Sequence, residues 1–358
     1  MKYLNVYQWP TYSPACQRDV LRLLKNGGSL TAYRSNPDFP YGPRTGSWAW
    51  QAERLAERLF GIKHAVIVNS GTMALQAGLW ALDLPPGSEV ITSPLTFSAT
   101  PAAIRHAGLQ PLFADVHSET FCLDISSIAT IPCSTVTFLP VDLFGRIAWP
   151  CFGHAMEDAC QAVGAKKGSQ WAGTFGRIGV YSFNGQKNCP AGEAGMAVTD
   201  NGDLAERMRR WASHGENWHH AEVGLNGRVN EVTACIAYHG LLAVKVRNAQ
   251  RRRLAFELWR RLKDETRLRI LTPQEIEGHA LYVYPFTIAD GVDRGGFVRR
   301  LKKMGVEAGE GYIQPILSKY PAFKDAVRIP LPVAEELSEK SLVLLHQVRP
   351  PATVGAMR

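Results

Sequence analysis

The chain has 358 residues, of which 46% are hydrophobic and 20% are charged, and its formal net charge is +8. This length exceeds that of one ordinary core and predicts two domains, or one large and one small lobe. The composition is typical of a soluble globular protein, and no apolar run suits a membrane span or a signal peptide, so we expect a cytoplasmic protein without a membrane partner.

The positive charge and the cysteines point to neither a nucleic-acid site nor a metal site. Much of the excess charge lies at helical spacing between Lys245 and Arg269. That pattern is typical of a solvated helix face, and no recognition motif accompanies it. The seven cysteines include no Cys-x-x-Cys pair and no Cys/His cluster at zinc spacing. We expect reduced thiols, no metal and no nucleic-acid partner.

Hydrophobic periodicity predicts helices over 14–28 and 48–60, separated by a Pro/Gly/Ser-rich passage over 29–47. We interpret that passage as an ordered loop or an arm that contacts a partner. The elements predicted next are strand 65–68, helix 71–82, strand 89–92, helix 97–107, strand 110–114 and strand 136–141. This alternation predicts a mostly parallel, doubly wound α/β sheet with ligands at the carboxyl ends of its strands.

The sequence pattern changes near residue 245. A helix over 201–211 and one or two long helices over 228–262 are followed by strands near 267–271 and 281–288 and a helix over 293–303. We predict a large domain over 1–244, which includes the N-terminal arm, and a small α+β domain over 245–358.

Three predicted strand ends carry residues suited to a phosphorylated ring. The turn 69–72 offers backbone N–H groups and a hydroxyl to a phosphate, although an ordinary helix N-cap has the same pattern. Phe97 is placed to stack on a ring or to fill the core. Asp158 follows a short apolar strand and would accept an N–H from a ligand or cap a helix.

The fourth such feature is Lys187, in a loop between a predicted strand and the glycine-bounded segment 192–195. A lysine at a strand end can be desolvated and become a Schiff-base nucleophile, whereas most lysines are solvated surface charges. Together the four features fit pyridoxal phosphate (PLP), which needs a binding site for its phosphate, an aromatic side chain over its ring, a carboxylate for its ring nitrogen and an amine for its aldehyde. The Gly-x-Gly-x-x-Gly motif of nicotinamide enzymes is absent after the first strand.

From about Trp9 to about Leu331 the sequence resembles the sugar aminotransferases of the DegT/StrS type, which are fold-type-I PLP enzymes. The matching segments are Asn69-Ser70-Gly71-Thr72-Met73-Ala74-Leu75, Pro94-Leu95-Thr96-Phe97, Phe113-Ala114-Asp115-Val116, Leu143-Phe144-Gly145, Glu157-Asp158-Ala159-Cys160-Gln161, Ser182-Phe183 with Lys187, Gly192-Glu193-Ala194-Gly195, His214-Gly215 and Gly224-Leu225-Asn226-Gly227-Arg228. The order and combination of these motifs are highly specific.

The resemblance implies catalytic and cofactor-binding roles around the ring. Lys187 would form the internal aldimine and then shuttle the proton between the substrate carbon and the cofactor. Asp158 would pair with the pyridine nitrogen, Gln161 would contact the phenolic oxygen, and Phe97 would stack on the ring.

The resemblance also implies how the phosphate is held. Gly71, Thr72 and Ser182 would bind it within one subunit. Asn226 would reach it from the neighbouring subunit, which implies a homodimer with shared active sites.

Two departures from the family pattern concern the shape of the site. Only ten residues separate Gly145 from Met156, where relatives usually place a helix. We therefore expect this helix to be missing and the strand that leads to Asp158 to be shortened. Ala194 occupies a position where relatives mostly have glycine, which affects the loop after Lys187 but removes no chemical group.

The activity implied by the resemblance is transfer of an amino group from glutamate or glutamine to a keto-sugar, most simply a nucleotide-linked keto-deoxysugar. Basic residues such as Arg34, Arg44 and Arg228 would assist with a diphosphate. A cyclitol ketone such as scyllo-inosose is an alternative acceptor. Dehydratases of the family typically have histidine in place of the lysine, so Lys187 argues against that activity. A non-catalytic regulatory or nucleic-acid-binding protein on this fold is the alternative from another class.

Overall fold

The computed structural model describes residues 4–5, 12–27, 29–31, 42–132, 136–148, 156–215 and 223–348. The helices of these residues are α1 (Pro14–Lys25), α2 (Trp48–Phe60), α3 (Gly71–Ala81), α4 (Ala99–His106), α5 (Ile125–Ile128), α6 (Gly202–Trp211), α7 (Glu231–Leu262), α8 (Pro273–Gly278), α9 (Arg294–Lys303) and α10 (Pro332–Glu336). The strands are β1 (Leu4–Asn5), β2 (His64–Val68), β3 (Glu89–Thr92), β4 (Gln110–Phe113), β5 (Val136–Phe138), β6 (Met156–Asp158), β7 (Lys166–Lys167), β8 (Gln170–Trp171), β9 (Ile178–Ser182), β10 (Gly195–Thr199), β11 (Leu268–Arg269), β12 (Tyr284–Ile288), β13 (Ala308–Glu310), β14 (Leu342–Leu345) and β15 (Gln347–Val348). Turns of 3-10 helix cover Leu143–Gly145, Leu317–Lys319 and Pro321–Ala326, and a π-helical turn covers Leu337–Ser341.

The main sheet is mostly parallel and has two parts. One part has the strand order β2-β10-β9-β6, and the other has the order β4-β3-β5. Just beyond β5, Val141 pairs in parallel with Asp158 of β6, and this bridge joins the two parts edge to edge. β3 is parallel to β4 and β5, and β6 is parallel to β9, whereas β10 is antiparallel to both of its neighbours. The carboxyl ends of β3, β6 and β9 therefore lie at one edge of the sheet, where ligands bind in folds of this class.

The sequence explains why helices cover this sheet. Its strands are short apolar runs that are buried on both faces, as β9 and β10 are along their whole length. Helices α2, α3, α6 and α7 each begin after a residue whose side chain accepts an N–H group of the first turn, and these caps are Ser47, Ser70, Asn201 and Asn230. Because α3 starts directly after β2, its first turn lies at the sheet edge that carries the strand ends.

The C-terminal third forms an antiparallel sheet with the strand order β11-β12-β14-β13. The residues of its core all lie between 255 and 345 and include Leu258, Leu262, Phe286, Leu301 and Leu345. α7 is one continuous helix of 32 residues. The predicted domain boundary at 244/245 falls inside α7, and the division into two domains stays a prediction.

Most of the predicted elements occur within two or three residues of their predicted bounds. The predicted helix over 97–107 begins at Ala99 instead, so Phe97 lies in the preceding loop. The predicted strand over 136–141 ends at Phe138, because Pro140 has no N–H for a ladder. Within the passage 29–47, residues 32–41 lie outside the described residues, as do residues 149–155 of the short connection. No helix of the described part of the chain is long and apolar enough to cross a membrane.

Candidate active site

A cavity of about 610 Å³ opens at the edge where β3, β6 and β9 end. Its wall combines the loops that follow these strands with residues from the C-terminal third of the chain. The predicted site residues that line it are Gly71, Thr72, Phe97, Asp158, Gln161, Ser182 and Lys187. The fold thus gathers residues that are far apart in sequence around a space large enough for a cofactor.

The first turn of α3 is suited to bind an anion at this cavity. Ser70 caps the helix, and its Oγ accepts the N–H of Met73 at 3.1 Å. The N–H groups of Gly71 and Thr72 have no acceptor within the helix, and the helix dipole adds partial positive charge at this end. The helix cap and the anion seat that the sequence offered as alternatives are therefore compatible in one turn.

Glycine at position 71 is required by the close approach of β9. A Cβ atom on Gly71 would lie 2.9 Å from the Cβ of Ser182 and 3.1 Å from the Sγ of Cys160. Ser182 is buried at the end of β9, and its Oγ accepts the N–H of Asn184 at 3.3 Å. A side chain at Gly71 would fill the space between the turn and the strand end, so the absence of one keeps this cradle open.

Asp158 lies at the end of β6 with both carboxylate oxygens engaged. Oδ2 accepts the hydroxyl of Thr100 at 2.8 Å, and Oδ1 accepts the N–H of Cys160 at 3.1 Å. Only 4% of the residue is exposed, and it lines the cavity. Because a turn and not a helix follows β6, the helix-cap alternative for Asp158 is wrong. The residue presents an oriented carboxylate to the cavity.

The amide of Gln161 has a defined orientation. Its Oε1 accepts the backbone N–H of Phe144 at 2.9 Å, and its Nε2 donates to the hydroxyl of Tyr312 at 2.9 Å. A backbone N–H must meet the oxygen of the amide, so the nitrogen is the end with a further N–H group for a ligand. This arrangement agrees with a donor role towards an oxygen atom in the cavity.

The loop after β9 holds Lys187 in a desolvated position. The N–H of Phe183 donates to the carbonyl of Ala194 at 2.8 Å, so the loop closes with alanine at position 194. The Nζ of Lys187 lies 4.2 Å from the centroid of the Tyr282 ring. Burial lowers the pKa of Lys187, while nearby Cys160 and Asp158 act in the opposite direction. The amine is therefore more nucleophilic at neutral pH than that of a solvated lysine.

Two predicted residues lie at the margin of the cavity or outside it. Phe97 lines the mouth of the cavity and is 54% exposed, so its ring is accessible to a ligand. Asn226 is exposed and does not line the cavity of this chain. Its Oδ1 accepts the N–H of Arg228 at 3.4 Å, and its carbonyl accepts Asn69 Nδ2 at 3.1 Å. The contact of Asn226 with the phosphate of a neighbouring subunit stays a prediction.

Sequence reasoning missed three residues that hold the predicted ones. Thr100 orients Asp158, Tyr312 orients Gln161, and the ring of Tyr282 lies under the amine of Lys187. The i, i+4 spacing of Thr96 and Thr100 was a local signal, and their hydroxyls are 3.2 Å apart. The two tyrosines gave no comparable signal, because they come from the C-terminal third.

Residues 44–349 match the sequence profile described as the DegT/DnrJ/EryC1/StrS aminotransferase family. The chain belongs to this family. The match confirms the resemblance read from the motifs, and with it the assignment to a class of PLP-dependent aminotransferases.

Two relatives and one solved structure illustrate the similarity. A UDP-N-acetyl-3-dehydro-alpha-D-glucosamine 3-aminotransferase of Acidithiobacillus ferrooxidans is 32% identical over 299 residues, which are 80% of either chain. A pleiotropic regulatory protein of Geobacillus stearothermophilus is 31% identical over 300 residues, or 79% of either chain. The E. coli GDP-4-keto-6-deoxy-D-mannose-3-dehydratase with bound hydrated PLP has a TM-score of 0.85 at 21% identity over all of both chains. The last comparison supports the predicted fold class.

Proposed function

We propose that this chain is a PLP-dependent aminotransferase that moves an amino group from glutamate or glutamine to a nucleotide-linked keto-deoxysugar. The observation that carries the proposal is the joint presence of Lys187 and Asp158 in one cavity. Near them lie the first turn of α3, which suits a phosphate, and Gln161, which suits an oxygen acceptor.

The residues present fit PLP. Gly71 keeps the cradle at the first turn of α3 open, and the N–H groups of that turn together with Ser182 would hold the phosphate. Asp158 would hold a proton on the pyridine nitrogen, and Phe97 would cover the ring. When it is bound, PLP supplies an aldehyde for amines and an electron sink that stabilises a carbanion.

With PLP present, the amine of Lys187, which burial favours in the neutral form, would hold the aldehyde of the cofactor. When it is not bonded to the cofactor, the amine of Lys187 would serve as the group that takes up and returns a proton. The ring of Tyr282, 4.2 Å from Nζ, would limit the positions that the amine can adopt during this transfer.

The acceptor class is supported by the relative from Acidithiobacillus ferrooxidans, whose name describes a UDP-linked keto-sugar. The part of the cavity wall formed by described residues of one chain contains Glu193 and Glu310 but no arginine. A diphosphate would therefore need basic groups outside this wall. Arg44 is exposed and Arg228 is half-buried, both outside the wall, while Arg34 lies outside the described residues.

We further propose a homodimer in which Asn226 completes the phosphate site of the partner. Mixed dimers test this arrangement. In a dimer of a Lys187→Ala chain and an Asn226→Ala chain, one site lacks both residues and the other is intact. We expect activity to reappear on mixing the two inactive variants after dissociation and reassociation. Activity that stays absent after mixing would contradict a shared site.

A screen of acceptors tests the proposed function. The purified protein with PLP is incubated with glutamate or glutamine and with either UDP-linked and GDP-linked keto-sugars or cyclitol ketones such as scyllo-inosose. We expect amination of a nucleotide-linked acceptor, with Lys187→Ala as the inactive control. If the protein aminates cyclitol ketones but no nucleotide-linked keto-sugar, the acceptor class is the cyclitol ketones and the proposed one is wrong. If the protein binds no PLP and aminates neither class of acceptor, that result would instead support a regulatory role.

A further inference from the structure

Two buried carboxyl groups lie behind the cavity wall on either side of the Asp158 backbone. Glu157 precedes Asp158 on β6, and the N–H of Asp142 donates to the carbonyl of Asp158 at 3.0 Å. Asp142 is fully buried and Glu157 is 3% exposed. The parallel bridge between Val141 and Asp158 brings the two residues onto neighbouring strand segments, and each side chain influences the pKa of the other. Neither residue is among those predicted to bind the cofactor.

Two carboxyl groups can hydrogen bond only when one of them carries a proton. Glu157 accepts two backbone N–H groups, from Gly173 at 2.7 Å and from Phe175 at 2.9 Å. Asp142 accepts one, from Ala148 at 2.7 Å, and its Oδ2 is buried without a donor from the described residues. The N–H groups favour the charged form of Glu157, so the proton belongs on Asp142.

We propose that Asp142 and Glu157 share one proton and that this pair positions the strand ends which present Asp158 and Gln161. Through Oδ1, Asp142 fixes the segment 142–148, whose Phe144 N–H donates to Gln161. Through its carboxylate, Glu157 fixes the loop that contains Gly173. Asp142 and Glu157 are thus positioning residues for the cofactor site, a role that rests on the proposed function.

Lys187, whose pKa is lowered by burial, also titrates in this region, so the pH effect of the pair is measured as the difference between the wild type and Asp142→Asn. Asp142 also interacts electrostatically with the thiols of Cys122 and Cys160 and with the phenol of Tyr181. Burial raises the pKa of Cys122 to about 11 and raises the pKa values of the other two groups. Burial, reinforced by Glu157, holds the pKa of Asp142 well above its usual range.

The direction of the pH effect follows from that raised pKa. The folded state binds the shared proton more tightly than the unfolded chain does, so its contribution to stability is complete at acidic pH. It is lost as pH rises through the pKa of folded Asp142. Loss of the proton would place two charges in contact in the interior, and the strand ends would lose their fixed positions.

The tests compare the wild-type chain with three variants, each of which carries one substitution. In Asp142→Asn the amide donates to Glu157 and still accepts from Ala148, so it mimics the protonated acid. In Glu157→Gln the side chain keeps one acceptor oxygen, whereas the backbone N–H groups of Gly173 and Phe175 require two. The amide nitrogen, which is a donor, would therefore face one of these N–H groups. Asp142→Ala removes the bridge altogether. If the proton lies on Asp142, we therefore expect Asp142→Asn to preserve the interaction and Glu157→Gln to disrupt it.

The first measurement is the infrared carbonyl band of a buried protonated carboxyl group, recorded without PLP. We expect it in the wild type and expect Asp142→Asn to abolish it. The thermal midpoint of the wild type should fall as pH rises, and that of Asp142→Asn should fall less. A wild type without the band, or equal pH dependence of the two proteins, would overturn the shared proton.

The second measurement is PLP affinity by absorbance titration. We expect Asp142→Asn to bind within about twofold of the wild type, and Glu157→Gln and Asp142→Ala to bind at least about tenfold more weakly. Equal loss in Asp142→Asn and Asp142→Ala, or full affinity in Glu157→Gln, would overturn the positioning role. If the wild type binds no PLP, the proposed function fails, while the infrared result still decides the shared proton.

Discussion

Replacement of Gly71 by alanine tests whether the first turn of α3 forms the phosphate cradle. The new Cβ would lie 2.9 Å from the Cβ of Ser182, whereas carbon atoms in contact prefer about 3.5–4.0 Å. Overpacking of this kind destabilises a folded protein by about 1–3 kcal/mol. Alanine is also the better helix former, by about 1 kcal/mol. The stability of Gly71→Ala alone therefore mixes two opposing effects.

Gly202→Ala is the matched control for this substitution. Gly202 is the first residue of α6, as Gly71 is of α3, but its Cβ would meet only the ring of His64, at 3.4 Å from Nε2 and 3.9 Å from Cε1, which are ordinary contacts. The gain in helix propensity is common to both variants. The free energy of unfolding of Gly71→Ala should therefore lie below that of Gly202→Ala by about 1–3 kcal/mol. Urea denaturation followed by tryptophan fluorescence measures this difference.

The same pair of variants separates stability from cofactor binding. We expect Gly71→Ala to weaken PLP binding by about tenfold or more and Gly202→Ala to leave it unchanged. In a double-mutant cycle, Ser182→Gly should restore part of the lost stability of Gly71→Ala, because it removes the atom in contact. If Gly71→Ala is as stable as Gly202→Ala and binds PLP equally well, the cradle is wrongly located.

Three further predictions concern the other groups of the site. Asp158→Asn should still bind PLP but slow transamination by about 100-fold or more, and near-normal turnover would refute its role as the acid at the ring nitrogen. Tyr312→Phe removes one hydrogen bond to Gln161 and should weaken PLP binding by about 2- to 10-fold in a titration, whereas an unchanged dissociation constant would show that Gln161 needs no such support. Because burial lowers the pKa of Lys187, the rate of PLP attachment should rise with pH and level off at a lower pH than that of a solvated lysine amine. A profile in stopped-flow absorbance that matches N-acetyl-lysine methylamide would contradict this environment.

The sequence contained enough local information to predict the sheet and the residues at its strand ends. Buried strands such as 65–68 are continuous apolar runs, and α2 is bounded by a serine cap and by Gly61 in the left-handed region with φ of 68°. Lys187 and Asp158 were predicted to converge because both follow parallel strands, and both line the cavity. Their roles in binding PLP stay predictions.

Side-chain contacts between separate segments of the chain were beyond sequence reasoning. Gln161 and Tyr312 are 151 positions apart, and no periodicity links them. The pair of Asp142 and Glu157 was also missed, since carboxyl groups in strand-end motifs are expected to face solvent or a ligand. Their burial becomes evident only when the parallel bridge between Val141 and Asp158 is known.

The proposed function requires that Lys187 carries the cofactor in this cavity. The most direct measurement is borohydride reduction of the protein loaded with PLP, followed by proteolysis and mass spectrometry of the peptides. We expect a pyridoxyl group on Lys187 in the wild type and none at this position in Lys187→Ala. A label on another lysine, or no label on a protein that stays colourless with PLP, would contradict it.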